Sequence, residues 1–210
     1  AVVERSPEAE AFARWQAGRF LEIERDMAAE WRAMLSELNL QEVASRMRAL
    51  GVTPKSCRSV EDAYGMAASL VNARHEPEQQ LSLLSAFVHL SPSLYARALH
   101  RWSEAGFPAL AKFAPYAAHV LKVEMFFQIA LAANHISADR PSNRADIAYL
   151  FYLPFAHVFV SGDKLHRRCT APFIKSTQDF IWAPDLKADL AAINETFLAH
   201  SSDADRQEGL

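Results

Sequence analysis

Glycine is scarce in this 210-residue chain: there are six. None falls in a glycine-rich phosphate cradle of the P-loop or dinucleotide type, so nucleotide chemistry built on such loops is excluded. No Gly-x-Ser-x-Gly occurs, which removes the usual strained turn for a serine nucleophile. Cysteine is scarcer still. Cys57 and Cys169 form no Cys-x-x-Cys pair, so two unpaired thiols and a reducing, cytoplasmic setting are expected. The eight histidines are scattered, without the close spacing of a zinc site. No apolar run approaches the roughly 20 residues of a membrane span, so no membrane partner is expected. The opening residues Ala1–Arg5 lack the apolar centre of a secretory leader. The chain starts with Ala, not Met, and a segment upstream of Ala1 is expected.

What is present is a core-forming composition. Half the residues are hydrophobic, and the net charge is only −3. Up to about residue 136 the pattern is almost continuously helical. Ser6 and Pro7 start a helix over 6–17, and Gly18 stops it. A second runs over about 19–38 on a stripe of Phe20, Ile23, Met27, Trp31, Met34 and Leu38. Residues 40–50 form a third, closed by Gly51. Ser59, with Asp62 three residues on, caps a fourth that reaches about Ala73. Further helices cover Glu78–Leu90 and Ser91–Ala105, and a long one runs from Tyr116 to His135 after Pro115. Beyond Arg140 helix and strand alternate. Helix Ser142–Leu153 is ended by Pro154. Strand His157–Val160, helix Lys164–Cys169, strand Asp179–Trp182 and helix Leu186–Leu198 follow, and the tail Ser201–Leu210 is polar. Strand–helix–strand succession predicts parallel pairing through a right-handed crossover. The fold class expected is α/β: a helix-rich chain with a small parallel sheet and a large helical region. Residues 1–210 are expected to form one domain, with 40–136 a helical insertion or subdomain and 137–200 the α/β portion.

The α/β portion carries the chemistry. Asp146 is expected in the first turn of its helix, and Asp163 lies just past the end of the first strand. Ligands of open α/β sheets bind at that rim, and two carboxylates there can share a hard divalent cation. Each has a plainer reading by itself: Asp146 as an acid favoured near a helix start, Asp163 as a cap for the next helix. Between Arg140 and Lys175 there are six basic residues and only these two acids, a balance suited to a phosphodiester. Glu124 stands out in the apolar helix Val120–Ile129. Buried there, it needs a cation or an ion-pair partner. Glu30 is the competing third acid, and Asp26 and Glu37 flank it on a face that reads as solvated.

Asn143-Arg144-Ala145-Asp146-Ile147-Ala148, followed by Val158-Phe159-Val160-Ser161-Gly162-Asp163-Lys164, resembles the carboxyl-terminal half of PIN-domain nucleases. There a helical Asp, a short strand and a Ser/Thr-x-Asp ending succeed one another, and Phe180-Ile181-Trp182 looks like the family's next strand. The likeness spans about residues 115–185. It implies a Rossmann-like, PIN-like sheet and a cluster of acids holding Mg²⁺ or Mn²⁺ for hydrolysis of RNA. On that reading Asp146, Asp163 and Glu124 bind metal and act catalytically, while Arg144, Lys164 and Arg167 position phosphates. The family's opening strand with its Asp has no counterpart here, and its middle Glu has no secure one. The alternative expectation is a helical interaction module on a PIN-like scaffold without catalysis. A third is a structural protein whose acids only cap helices.

Overall fold

A computed structural model describes residues 7–72, 77–88 and 90–200 of the chain. The Ser6 cap and the tail Ser201–Leu210 lie outside the described residues, as do the side chains of Phe12, Trp31 and Met34. The chain divides into two compact units at Asn39–Leu40.

The first unit holds α1 (Pro7–Gln16) and α2 (Glu22–Ser36). Gly18 takes a left-handed φ of 68°, and the Arg19 N–H bonds back to the Arg14 carbonyl at 2.8 Å, a glycine-closed helix end. Glu24 accepts from the Arg14 guanidinium at 3.0 Å and from the Leu21 N–H at 2.8 Å. These bonds, Arg14 first, hold its carboxyl down at about 2. Phe20, Ile23 and Met27 of this unit are exposed.

The second unit is organised by α8 (Pro115–Ala132). Eleven of its residues are buried, including Phe126, Phe127, Ile129 and Leu131, so it is apolar on every side, as a helix at the centre of a core must be. Around it pack α3 (Leu40–Ala49), α4 (Val60–Asn72), α5 (Pro77–Val88), the short α7 (Leu110–Phe113) and α9 (Ser142–Ala148). Helix α6 (Pro92–Glu104) packs on α5, and its buried Trp102 donates to the Pro108 carbonyl at 2.8 Å. One apolar cluster runs without interruption from Leu40 to Phe173. The helical stretch 40–136 and the α/β portion therefore share a core. Cys57 and Cys169 are both free and buried, and burial raises the Cys169 thiol to about 11.

After α9 the chain tightens into a 3₁₀ segment, Tyr149–Phe155, with Pro154 inside it. The expected single helix to Leu153 is thus split. In an α-helix the Leu150 carbonyl would wait for an N–H that Pro154 lacks. Here it accepts from His119 Nε2 on α8 at 2.8 Å. Gln178 reaches the Leu153 and Ala156 carbonyls, the latter at 2.7 Å, and so ties the end of this segment to the start of the second strand. Strands β1 (Val158–Ser161) and β2 (Asp179–Trp182) pair in parallel, Val158 opposite Asp179 and Ser161 opposite Trp182. Helix α10 (Lys164–Cys169) and a 3₁₀ turn, Ala171–Phe173, cross between them, and α11 (Ala183–His200) follows. Well over half the residues are helical and the sheet is small, parallel and two-stranded among the described residues. No described helix is long and apolar enough to cross a membrane.

Candidate functional site

Asp163 sits where β1 ends. Its extended backbone makes it the N-cap of α10, and its Oδ1 accepts the Leu165 N–H at 2.6 Å, satisfying one of the donors a helix start leaves open. The plainer of the two expectations for Asp163, the helix cap, is what the structure shows. Asp146 is in the second turn of α9 rather than the first, because that helix begins at Ser142.

His166 joins the two. It lies on α10, is 5% exposed, and rests edge-on against the rings of Phe159 and Tyr149. Its Nε2 is 2.7 Å from the Asp146 backbone carbonyl. A carbonyl can only accept, so Nε2 carries the hydrogen. In the neutral ring Nδ1 is then the acceptor, and the Ser161 hydroxyl donates to it at 2.7 Å. The same Ser161 oxygen accepts the Asp163 N–H at 3.1 Å. A continuous chain of bonds therefore runs from the backbone of Asp146, through His166 and Ser161, to the backbone of Asp163. The Asp146 carboxyl is pushed up from its ordinary value, first by burial and then by the charge of Asp163, with His166 and Arg140 opposing. The two acids thus sense each other electrostatically.

Glu124 is elsewhere. It is 4% exposed on α8 and bonded to Arg144 of α9 at 2.5 Å. Burial raises its carboxyl, and Arg144 only partly offsets this. Arg144 is fixed in turn: its guanidinium lies 6.0 Å from the Phe127 ring centre and 5.9 Å from that of Phe151. Glu124 and Arg144, expected to bind metal and phosphate respectively, are spent on each other. Glu30 is an exposed residue of α2 in the first unit. Arg167 stacks over Trp182 at 4.9 Å. Among the described residues no three His, Cys, Asp or Glu side chains gather as a metal-holding group.

Lys164 does line a cleft at the site. Beside Asp163 opens a cavity of about 420 Å³ walled by Arg140, Asn143, Lys164 and Arg168. In the sequence Arg140 and Arg168 stand out only as part of a basic run, and the role of His166 does not stand out at all. Its one sequence signal is position: three residues after the capping Asp163, a side chain on a single-turn helix points back over the strand end.

No family model matches the chain, and neither does any curated protein or solved structure.

Proposed function

We propose that this protein is a metal-dependent nuclease, acting on RNA, with Asp146 and Asp163 as its metal-binding acids. The observation that carries the reading is the hydrogen-bond chain through His166 and Ser161 that links the backbones of Asp146 and Asp163 at the carboxyl end of a parallel strand; the Asp146 carboxyl, raised first by burial and then by the charge of Asp163, is in keeping with it. Two crowded carboxylates are relieved by a cation between them. Mg²⁺ keeps several of its waters and commonly takes only one or two protein carboxylates, so the pair fits Mg²⁺ or Mn²⁺ without Glu124. Bound there, the ion would lower the pKa of a water and neutralise charge on the phosphate. The protein's own part is positional. His166 and Ser161 fix the backbones of both acids, and the α10 cap orients the Asp163 carboxylate.

The test is cleavage of single-stranded RNA with Mn²⁺ or Mg²⁺ by the chain as it occurs naturally. Asp163→Asn should lower the rate by orders of magnitude, yet leave folding intact, because Asn caps a helix about as well as Asp. An Asn variant as active as the parent would remove Asp163 from the chemistry. A parent that neither cleaves RNA nor gains melting temperature with Mn²⁺ would remove the nuclease reading. A second reading, a binding module without catalysis, draws on α11, where Leu190 and Ile193 are 55% and 64% exposed on one face. It gains if the parent fails both assays while Leu190→Asp abolishes a protein–protein association.

A further inference from the structure

Arg140, Lys164 and Arg168 face one cleft from three places in the chain: the turn before α9, the start of α10 and its end. All three are exposed, and none makes an ion pair among the described residues. The one acid on the wall, Asp163, has an oxygen committed to the α10 cap. Three cations against that one carboxylate leave the concavity net positive, which draws in an anion. A second cleft, about 370 Å³, shares two wall residues with the first, Ser137 and Arg168. It adds Arg48, whose guanidinium is pinned by the Ala132 carbonyl at 2.9 Å and Asn134 Oδ1 at 2.8 Å, and one acid, Asp139, whose carboxylate already accepts from Gln41 at 2.7 Å. Pinning fixes the direction of the remaining Arg48 N–H groups before a ligand arrives.

We propose that the two clefts form one track for successive phosphates of a single nucleic-acid strand, with Arg168 on the wall between them. The first station is Arg140, Lys164 and Arg168. The second is Arg168 and Arg48. The inference rests on the nuclease reading for its substrate class and moves the phosphate contacts from Arg144 and Arg167 to Arg140 and Arg168. Both clefts hold planar guanidinium groups, which match phosphate oxygens two at a time. The track begins beside Asp163, so a strand lying in it would bring a phosphodiester to that acid.

The experiment is fluorescence anisotropy of a labelled single-stranded oligoribonucleotide with the full chain, in EDTA so that cleavage cannot interfere. Wild type should bind with an affinity that falls as salt rises. Arg168→Ala should weaken binding by about tenfold, the scale of one charged hydrogen bond, and lower the salt slope by about 0.7 for each phosphate it no longer neutralises. Arg140→Ala and Arg48→Ala should each act in the same direction, and Arg168→Lys should restore part of the affinity. Arg167→Ala, on the Trp182 ring, should leave the affinity unchanged. Inorganic phosphate and a nucleoside monophosphate should compete only weakly. Unchanged affinity and slope in Arg140→Ala and Arg168→Ala would overturn the track. So would competition by inorganic phosphate as effective, per phosphate, as that by the oligonucleotide. Binding with no metal-dependent cleavage would sink the nuclease and keep the track. Cleavage with an unchanged KM in both arginine variants would sink the track and keep the nuclease.

Discussion

Two carboxylate environments, Glu124 on α8 and Asp146 with Asp163 further along the chain, differ in how their charge is met. Glu124 is deep in the helical core and has its own cation, Arg144, held between two aromatic rings. Asp146 and Asp163 stand half-exposed at the strand end and have each other. The first arrangement closes on itself. A buried charge must be paired internally, and Arg144 meets that need for Glu124. The second leaves both carboxylates without an ion-pair partner among the described residues, a state that a cation from solution can complete. Both carboxyls are shifted upward, with burial the largest cause in each. The direction of a shift therefore does not separate a structural acid from a site acid; the identity of the second influence does, a cation at Glu124 and another carboxylate at Asp146.

Breaking the closed pair should give the largest change in stability. Arg144→Ala leaves Glu124 buried without a partner and should cost about 3 kcal/mol in urea denaturation. The sign with pH follows from protonation. Glu124 already holds its proton above the ordinary value of 4.5, and without Arg144 it should hold it higher still. A neutral carboxyl needs no cation, so the cost should be greatest near pH 8 and smaller near pH 5. A cost independent of pH would mean that Arg144 matters through packing on Phe127 and Phe151 rather than charge.

A smaller loss is expected at the bridge that defines the open site. His166→Leu removes both bonds, leaving the Asp146 carbonyl and the Ser161 hydroxyl to find new partners, and should cost about 2 kcal/mol. His166→Gln can place an amide N–H where Nε2 was and keep the link to Asp146. His166→Asn can place an oxygen where Nδ1 was and keep the link to Ser161. If the bridge positions the acids, either variant should reduce Mn²⁺ affinity measured on folded protein by calorimetry, beyond any change in melting temperature. Parental Mn²⁺ affinity in both would leave His166 a packing residue only.

The smallest effect is expected from easing the acid crowding. Asp146→Asn should raise stability at neutral pH without metal, by at most about 1 kcal/mol for so exposed a pair. The folded-state value of Asp146 is raised, so wild type is favoured at low pH and loses that advantage as pH rises through the shifted value. The gain from Asn should therefore be present at pH 7 and absent near pH 3. If the two acids hold the ion as proposed, the order should reverse with Mn²⁺ present, since the parent alone keeps both carboxylates. Destabilisation at pH 7 in EDTA would show that the Asp146 charge is already compensated.

Local chemistry fixes most of the elements before any tertiary contact is known. Pro and Gly punctuation sets the limits of α1, α3 and α6, because a missing N–H or a left-handed φ acts within one turn whatever the rest of the chain does. The β-branched and aromatic runs set β1 and β2 to within a residue. Asp163 is legible as a cap, because strand end and helix start meet at that residue. The fate of Glu124 is not legible. Its partner lies twenty residues on, across a helix-to-helix packing, and sequence can say only that a cation is needed. The short α7 and the 3₁₀ segment are hidden for a related reason. The 3₁₀ segment, for one, is held by side chains from distant elements, as His119 holds Leu150 and Gln178 holds Leu153. What the sequence determined by itself was periodicity, punctuation and the cost of burying each charge. Only the tertiary structure decided which cation met which acid, because pairing depends on distances through space that the order of residues does not carry.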